Sequence, residues 1–402
     1  MQERRLHVDD DEARLTVLHI TADYPDVNNT DTTVAVQNFI GRNDEVDHVV
    51  VAIHRTALPW RVRVTEGGRA KNVRLISIRY WALPYGVLLE TSIYLLYWMI
   101  ASIVRSRDIG FDVIHAHKLT FEGLAAYWLS HSFRKPYVIS VRGEVEDKVL
   151  RAKPHFAWLY RRVVRDCARI FYVSAWFRPQ MKARYGVDAS KERLLPNFVD
   201  ASRANPQVAF RRNALVSVMS FDIYKRKGLE FLLPAFKGVV AQVPDATLDL
   251  IGGGRPADLQ RVRGLIEGEE LSQCVRLVGP LPNQELMGRL GSYCGFVLPS
   301  RNETFGMVYV EALLNGIPIV YSKNTGIDGH IDGVRGAIGI DPYSIESIRD
   351  GMLQLLANQE TFRDRLREQR QLVEHRFDAM AHVAAYNDEL RAVVTGLAAV
   401  TR

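Results

Sequence analysis

Short apolar runs alternate with longer segments of helical period along most of the 402-residue chain. This alternation predicts parallel strands covered by helices on both faces, an α/β fold with doubly wound sheets. A chain of this length exceeds one ordinary core, so we expect two domains of roughly 150–200 residues each.

The predicted strands fall into two groups separated by a polar stretch. The first group is residues 16–21, 48–53, 73–78, 113–116, 137–141 and 170–173, and the second is residues 215–219, 247–251, 275–278, 295–298 and 317–321. Residues 201–213 between them are the expected linker. We therefore predict one domain over residues 1–205 and a second over 206–377. A helix over residues 378–402 is expected to pack back on the first domain.

Three features bear on the compartment. Cys167, Cys274 and Cys294 are scattered and lack metal-ligand spacing, which favours a reducing environment without structural zinc. Residues 1–15 are highly charged and do not resemble a secretory signal. We expect a cytoplasmic protein that is peripheral at the inner face of the cell membrane.

Residues 86–104 form one long apolar segment that contains Glu90. The length is compatible with a membrane span. A helix docked on a sheet is also apolar on most sides, and Glu90 would be costly in lipid. We expect a buried or surface-docked helix.

The positive charge is concentrated in the first half of the chain. Residues 51–205 contain 26 Lys and Arg against 12 Asp and Glu, a net charge of +14. This excess favours an anionic membrane surface or a phosphorylated acceptor, although a solvated basic face is the plain alternative. No recognition helix, zinc finger or RNA-binding signature accompanies the charge, so nucleic acid is not an expected partner.

Residues 298–320 form the most informative stretch, in which a strand is followed by a helix predicted to start near Thr304 and to stop at Asn315. Glu303 would then lie at the helix N-terminus and Glu311 about 12 Å further along the axis. The free N–H groups of Thr304, Phe305, Gly306 and Met307 would favour an anion or sugar oxygens, and the two carboxylates would accept from sugar hydroxyls. Two such glutamates are, by themselves, more often part of a capped helix with an exposed face.

This stretch resembles the Glu-x7-Glu donor motif of glycosyltransferase family 4, whose members are retaining enzymes with the GT-B fold. The resemblance continues through residues 111–129, 137–144, 194–200, 227–236, 250–254 and 275–286. It implies that Glu303 holds the hydroxyls of the transferred sugar, that Glu311 holds the ribose, and that Lys227 binds the diphosphate. A solvated lysine before a helix is the alternative for Lys227.

Three positions depart from the family pattern. An arginine usually precedes the Lys-Gly pair, and here Lys225 or Arg226 would have to replace it. The usual His-Gly after the fourth main strand is Arg142-Gly143, where Arg142 either holds phosphate or forms a structural salt bridge. Residues 29–33 replace the usual Gly-Gly loop after the first strand.

His115 and His117 are separated by one residue at the end of a predicted strand, the edge at which open parallel sheets bind ligands. We expect His115 to pack against a covering helix and His117 to face the acceptor. No Asp-x-Asp metal motif is found in a suitable loop, so we expect no metal site and no obligatory cofactor.

The resemblance implies transfer of a sugar from a UDP- or GDP-sugar donor to a glycan or lipid-linked acceptor with retention. The expected role is polysaccharide or glycoconjugate biosynthesis at the cell surface. A catalytically silent GT-B partner protein and a sugar-nucleotide 2-epimerase are the alternatives.

Overall fold

A computed structural model describes residues 14–29, 33–199, 204 and 209–400. In this part of the chain the strands are β1 (Thr16–Thr21), β2 (Asp47–Thr56), β3 (Arg63–Ala70), β4 (Val73–Trp81), β5 (Val113–Ala116), β6 (Tyr137–Val141), β7 (Arg169–Tyr172), β8 (Glu192–Leu194), β9 (Arg211–Val218), β10 (Thr247–Ile251), β11 (Val275–Gly279), β12 (Tyr293–Leu298), β13 (Ile319–Ser322) and β14 (Ala337–Ile340). The helices are α1 (Ala35–Ile40), α2 (Leu89–Ser106), α3 (Phe121–Phe133), α4 (Glu144–Ala152), α5 (Ala157–Asp166), α6 (Arg178–Tyr185), α7 (Leu229–Val240), α8 (Pro256–Gly268), α9 (Asn283–Leu290), α10 (Met307–Leu314), α11 (Ile345–Ala357), α12 (Gln359–Glu368), α13 (Arg370–Arg376) and α14 (Ala379–Val400).

The strands form two sheets. The first has the order β3-β4-β2-β1-β5-β6-β7-β8, in which β3 is antiparallel to β4. The second has the order β11-β10-β9-β12-β13-β14, and its neighbouring strands are all parallel. Central strands such as β5 and β12 are buried along their whole length, as expected of parallel strands covered on both faces. The predicted α/β architecture is confirmed.

The order of the strands reverses at one point in each sheet. The reversal lies between β1 and β5 in the first sheet and between β9 and β12 in the second. Ligands of open α/β sheets bind beyond the carboxyl ends of the strands at such a switch point. These two edges are therefore the expected positions of a ligand-binding site.

Contacts divide the chain into two compact units. Unit 1 consists of Met1–Ile139, Asp166–Arg169 and Ala385–Arg402, and unit 2 consists of Ser140–Arg165 and Ile170–Ala384. This division differs from the domain boundary that the sequence predicts at residue 205, which stays a prediction. The predicted linker falls largely outside the described residues, since 201–203 and 205–208 are not described, and its last residues, 211–213, begin β9.

Helix α2 occupies most of the apolar segment at residues 86–104. Ile93, Leu96 and Ile100 are buried, whereas Tyr94 and Trp98 are more than half exposed. The helix is thus docked on the surface of unit 1, as predicted. No helix in the described part of the chain combines the length and the apolar character needed to cross a membrane.

Candidate functional site at the switch point of the second sheet

Lys227 and Glu303 meet at the switch point of the second sheet. Lys227 lies in the segment that follows β9, and Glu303 lies in the segment that follows β12. The Lys227 Nζ donates a hydrogen bond to Glu303 Oε2, and the two side chains are 14% and 15% exposed. Two of the three residues to which the family resemblance gives a role are therefore in contact, although 76 residues separate them in sequence.

The segment that carries Lys227 is held against the end of β12. Gly228 adopts φ +77°, and a Cβ at this position would lie 2.0 Å from the carbonyl oxygen of Pro299. Only glycine permits both the left-handed conformation and this close approach. The Arg301 N–H also donates to the carbonyl oxygen of Arg226 at 2.9 Å. These contacts fix the direction in which Lys227 leaves the backbone.

The backbone of Glu303 is held by residues that follow β13. The Glu303 N–H donates to Thr325 Oγ1 at 2.8 Å, and the Thr325 hydroxyl donates to the Glu303 carbonyl oxygen at 3.0 Å. The Gly326 N–H donates to the same oxygen at 2.9 Å. The carboxylate of Glu303 therefore projects from a fixed base.

The predicted start of the following helix is wrong. Helix α10 begins at Met307 rather than near Thr304, because Gly306 adopts φ +80° and separates the loop from the helix. The N–H groups of Thr304, Phe305 and Gly306 are consequently not those of a first helical turn, and the estimate of 12 Å along one axis does not apply. The Phe305 ring is 1% exposed and packs edge-on against His330.

Glu311 lies within α10 and is only 8% exposed. Its Oε1 accepts a hydrogen bond from Asn283 Nδ2 at 3.1 Å. Burial raises the pKa of Glu311, and the Asn283 hydrogen bond opposes this effect by stabilising the charged form. Sequence reasoning did not single out Asn283, although the residue lies in the family-like segment 275–286 and directly follows Pro282.

Lys225 and Arg226 directly precede Lys227, but the Lys225 side chain pairs with a different carboxylate. The Lys225 side chain is 66% exposed, and its Nζ lies 3.5 Å from Glu230 Oε1. The carbonyl oxygens of Lys225 and Arg226 both accept hydrogen bonds from Arg301. The structure therefore brings the backbone of these two residues to the site through Arg301, and both of their side chains are exposed.

Arg142 follows β6 in unit 2 and is 7% exposed. Its N–H donates to Glu146 Oε1 at 3.4 Å. Its carbonyl oxygen lies 2.5 Å from Ser174 Oγ, which is also within hydrogen-bond distance of the Thr304 carbonyl oxygen. Ser174 thus connects the backbone of Arg142 with the loop that contains Glu303.

Four histidines lie together on one face of the first sheet. His48 Nε2 lies 2.9 Å from the Asn43 carbonyl oxygen, and a carbonyl only accepts, so this nitrogen carries the proton. His48 Nδ1 must then accept from His19 Nε2 at 2.9 Å, which leaves His19 Nδ1 to accept from His117 Nε2 at 3.0 Å. His115 Nδ1 lies 2.8 Å from the Tyr386 hydroxyl of α14. Burial, together with the neighbouring His48 and His115, lowers the pKa of His19 well below its ordinary value.

The position of His117 differs from the open one that the sequence suggested. Its ring is 2% exposed and stacks on that of His115 with centroids 4.1 Å apart and planes 26° apart. Ligating atoms of His19, His115 and His117 lie within 4.8 Å of one another. The His115 ring is tilted by 48° from that of His19, and both nitrogens of His19 and the Nε2 of His117 are engaged in the hydrogen-bond chain described above. The segment at residues 29–33, the third departure from the family pattern, falls mostly outside the described residues, because 30–32 are not described.

Two family models match adjoining parts of the chain. The model of group 1 glycosyl transferases matches residues 201–372, and the model of glycosyltransferase family 4 matches residues 44–203. Together they extend without a gap from residue 44 to residue 372. The chain belongs to glycosyltransferase family 4.

Curated relatives of this family 4 chain are distant. It is 25% identical over 320 residues to D-inositol 3-phosphate glycosyltransferase of Corynebacterium jeikeium, covering 72% of this chain and 76% of the relative. It is 26% identical over 353 residues to sulfoquinovosyl transferase SQD2 of Arabidopsis thaliana, covering 81% and 63%. It is 27% identical over 215 residues to GDP-mannose-dependent α-(1-6)-phosphatidylinositol monomannoside mannosyltransferase of Mycolicibacterium smegmatis, covering 49% and 55%. The last two matches span less than two thirds of the relatives' own length.

Solved structures confirm the fold of the family 4 chain. Sucrose-phosphate synthase of Thermosynechococcus elongatus superposes with a TM-score of 0.70 at 18% identity, covering 95% of this chain and all of the other. Anabaena HepE in complex with UDP superposes with a TM-score of 0.66 at 14% identity, covering 94% and 100%. At these identities the likeness establishes the GT-B fold, as the sequence resemblance implied.

Proposed function

We propose that the protein transfers a hexose with retention of configuration from a UDP- or GDP-sugar to a hydroxyl of a glycan or lipid-linked acceptor. The observation that carries the proposal is the contact of Lys227 with Glu303 at the switch point of the second sheet. A lysine and a carboxylate at this edge suit the two parts of a donor, since one binds the diphosphate and the other binds the sugar hydroxyls.

The donor replaces Glu303 as the partner of Lys227 in this mechanism. The Lys227 ammonium binds the diphosphate, and the Glu303 carboxylate accepts hydrogen bonds from the hydroxyls of the transferred sugar. As the bond from the anomeric carbon to the phosphate oxygen breaks, negative charge gathers on the diphosphate, and Lys227 stabilises that charge more in the transition state than in the ground state.

The acceptor hydroxyl attacks from the face that the diphosphate leaves. A new bond forms from the acceptor oxygen to the anomeric carbon, and the acceptor proton passes to a β-phosphate oxygen of the leaving group. No protein nucleophile takes part. Arg142 is proposed to contact phosphate, and His117 is proposed to lie on the acceptor side.

Glu311 is proposed to accept hydrogen bonds from the ribose hydroxyls. Its burial makes such bonds strong, because the carboxylate has lost most of its water, and Asn283 orients it from the other side. Two similar proteins support these donor nucleotides. The Mycolicibacterium smegmatis relative is GDP-mannose-dependent, and HepE was solved in complex with UDP.

A thermal-shift screen against nucleoside diphosphates and nucleotide sugars tests the site. A ligand that binds only the native state raises its stability by about 2.7 kcal/mol at a concentration 100 times its dissociation constant. We expect a shift with one nucleotide that is lost in Glu311→Ala and kept in Glu346→Ala, a matched change at an exposed glutamate on α11. Absence of a shift with every nucleotide would favour the silent partner protein.

Product analysis tests the chemistry. With the donor that the screen identifies, we expect glycosidic product whose anomeric proton couplings match those of the donor. An inverted anomeric centre would contradict retention, and an epimerised nucleotide sugar would favour the 2-epimerase alternative.

We also propose that unit 1 docks on an anionic membrane surface in glycoconjugate biosynthesis at the inner face of the cell membrane. Helix α2 exposes Tyr94, Leu95 and Trp98 on one side, a combination that suits the interface between headgroups and acyl chains. Residues 51–139, the part of the basic range that unit 1 contains as one stretch, carry 12 Lys and Arg against 5 Asp and Glu, and this local net charge of +7 supplies the attraction to anionic lipid.

Liposome sedimentation tests this docking. We expect binding that rises with anionic lipid content, falls with salt and weakens in Trp98→Ser. The matched control is Trp60→Ser, which changes another exposed tryptophan of unit 1 that lies outside α2. Sedimentation that is independent of anionic lipid and salt would contradict the proposal.

A further inference from the structure

Helix α9 contacts α10, the helix that carries Glu311, through two pairs of side chains. Asn283, the first residue of α9, donates from Nδ2 to Glu311 Oε1 at 3.1 Å. Asn315, directly after α10, donates from Nδ2 to Met287 Sδ at 3.7 Å, and both of these residues are 0% exposed. The two contacts are four residues apart in each segment, about one helical turn, so they fix the register of α9 against α10.

The start of α9 has little conformational freedom. Pro282 lies directly before the helix with φ −56°, a value that the proline ring imposes, and its carbonyl oxygen accepts from the Leu286 N–H at 2.9 Å. Asn283 is itself exposed, so the backbone of α9 rather than burial of the side chain sets the position of its amide.

The two oxygens of the Glu311 carboxylate have different surroundings. Oε1 accepts from Asn283, whereas Oε2 makes no hydrogen bond with a residue in the described part of the chain and is not closed off from solvent. Burial raises the pKa of Glu311, and the Asn283 hydrogen bond opposes this effect. Asn283 thus favours the charged form, which is the stronger acceptor, and leaves one of its oxygens open to a ligand.

We propose that Asn283 is a positioning residue that makes the donor site selective for the ribose hydroxyls of the nucleotide. Its amide holds Glu311 Oε1, and this contact directs Oε2 to those hydroxyls. Without it the carboxylate turns about its terminal bond, for which no sharp rotamer exists, and accepts in no fixed direction. The inference rests on the proposed function, in which Glu311 binds the ribose, and names the residue on which that recognition depends.

Calorimetric titration of the full chain tests the proposal. The ligands are UDP, GDP and their 2′,3′-dideoxy analogues, which lack both ribose hydroxyls. For the nucleotide that binds, we expect the parent to bind the ribose form about tenfold or more tightly than the dideoxy form, because hydrogen bonds to a charged group are lost. This ratio of affinities separates the ribose hydroxyls from the rest of the ligand.

Two variants remove the Asn283 N–H donor. Asn283→Asp nearly keeps the size of the side chain but places a second carboxylate beside Glu311, and it should reduce the ratio to about twofold. Asn283→Ala should reduce it to about threefold. The affinity for the dideoxy form should stay within about twofold of the parent in both variants, since that form does not use the Glu311 carboxylate.

Thermal unfolding without ligand separates positioning from folding. A carboxylate in the first turn of a helix is stabilising, so Asn283→Asp should keep or raise the unfolding midpoint of the parent while it weakens ribose recognition. The matched control is Gln284→Glu, which adds the same charge at the next residue of α9, an exposed position. This control should leave the ratio of affinities unchanged.

Three results would overturn the proposal. These are equal affinity of the parent for the ribose and dideoxy forms, an unchanged ratio in Asn283→Asp, and an equal loss of affinity for both forms in that variant, which would indicate a merely structural role. If the parent binds UDP or GDP and the ratio survives in Asn283→Asp, the proposed function stands and the role of Asn283 alone is removed. If the parent binds neither nucleotide, the proposed function is removed as well.

Discussion

At the scale of single residues, Lys227 and Lys225 make a natural comparison. They lie two positions apart, but Lys227 contacts Glu303 and is 14% exposed, whereas Lys225 is 66% exposed. We expect Lys227→Ala to lower kcat by about 100-fold or more with little change in KM, since a fixed cation at the leaving group acts in the transition state. Lys225→Ala should stay within about twofold of the parent.

Initial rates of nucleoside diphosphate release, measured over a range of donor concentrations, separate kcat from KM. The assignment of Lys227 to the leaving group fails if both variants lose activity equally, or if Lys227→Ala raises KM while kcat is retained.

Glu122 is a second residue whose environment predicts a measurable effect. It lies in the first turn of α3, is 1% exposed and accepts from the Ala22 N–H at 3.2 Å, while its buried Oε2 has no hydrogen-bond partner in the described part of the chain. Burial raises the pKa of Glu122 to about 7. Between its ordinary pKa of 4.5 and about 7, the native state holds a proton that the unfolded state has lost. The free energy of unfolding therefore falls as the pH rises through this window.

Glu122→Gln removes the titration and keeps the shape. We expect the variant to match the parent near pH 4.5 and to exceed its free energy of unfolding by about 3 kcal/mol at pH 8. Urea unfolding at several pH values measures the difference. Glu285→Gln, at an exposed glutamate in the first turn of α9, is the control and should keep the pH dependence of the parent. A constant difference between Glu122→Gln and the parent at all pH values would contradict the prediction.

At the scale of elements, the left-handed Gly306 decides where α10 begins. A Cβ at this position would lie 2.6 Å from the Tyr309 ring and 3.2 Å from Glu303 Cγ. We expect Gly306→Ala to lower the free energy of unfolding by about 1–3 kcal/mol and to weaken donor binding, because relief of the clash must move the Glu303 loop.

Gly264 provides the opposite case. It lies inside α8, and a Cβ there would meet nothing within 4 Å. Gly264→Ala should raise the free energy of unfolding by about 0.5–1 kcal/mol. Denaturant unfolding of the two variants checks the pair, and a stabilised Gly306→Ala protein would show that the backbone at this position is not strained.

The sequence predicted the elements that are buried and periodic. The bounds of β1, β5, β6 and β10 agree with prediction at both ends, because apolar side chains fill these parallel strands. Strand β3 was missed, since its residues are polar and largely exposed and it pairs at the edge of the sheet. Strands β8 and β14 were missed because they are only three and four residues long, and Gly339 interrupts the apolar run of β14.

The site was predictable in its residues but not in its geometry. The spacing of Glu303 and Glu311 is visible in sequence, whereas the φ of Gly306, which displaces the helix start, depends on the fit of Glu303 and Tyr309 around it. The contact of Lys227 with Glu303 follows only from the strand order, which places β9 beside β12. Asn283 acquires its role from its hydrogen bond to Glu311, a contact between residues 28 positions apart that no local pattern encodes.

At the scale of the whole molecule, unit 1 is built from both ends of the chain. Asn43 and Asn387 are 344 residues apart and exchange side-chain hydrogen bonds of 2.8 Å and 3.0 Å, and both are 0% exposed. The Asn43 carbonyl oxygen also accepts from His48 and Asn72. The histidine cluster of the first sheet is thus tied to α14 through Asn43 as well as through Tyr386.

Removal of one asparagine should show how much the stability of unit 1 depends on the hydrogen bonds between Asn43 and Asn387. Asn387→Ala leaves the buried Asn43 amide without its partner, so we expect a loss of about 2–3 kcal/mol in the free energy of unfolding. Thr395→Ala, at an exposed position of the same helix, should cost less than about 0.5 kcal/mol. Hydrogen exchange of the backbone amides in β1, β2 and β5 measures the loss of stability within unit 1. Faster exchange in these strands of unit 1 than in β9 and β12 of unit 2 is the expected result, and equal acceleration in both would show that the two units unfold as one.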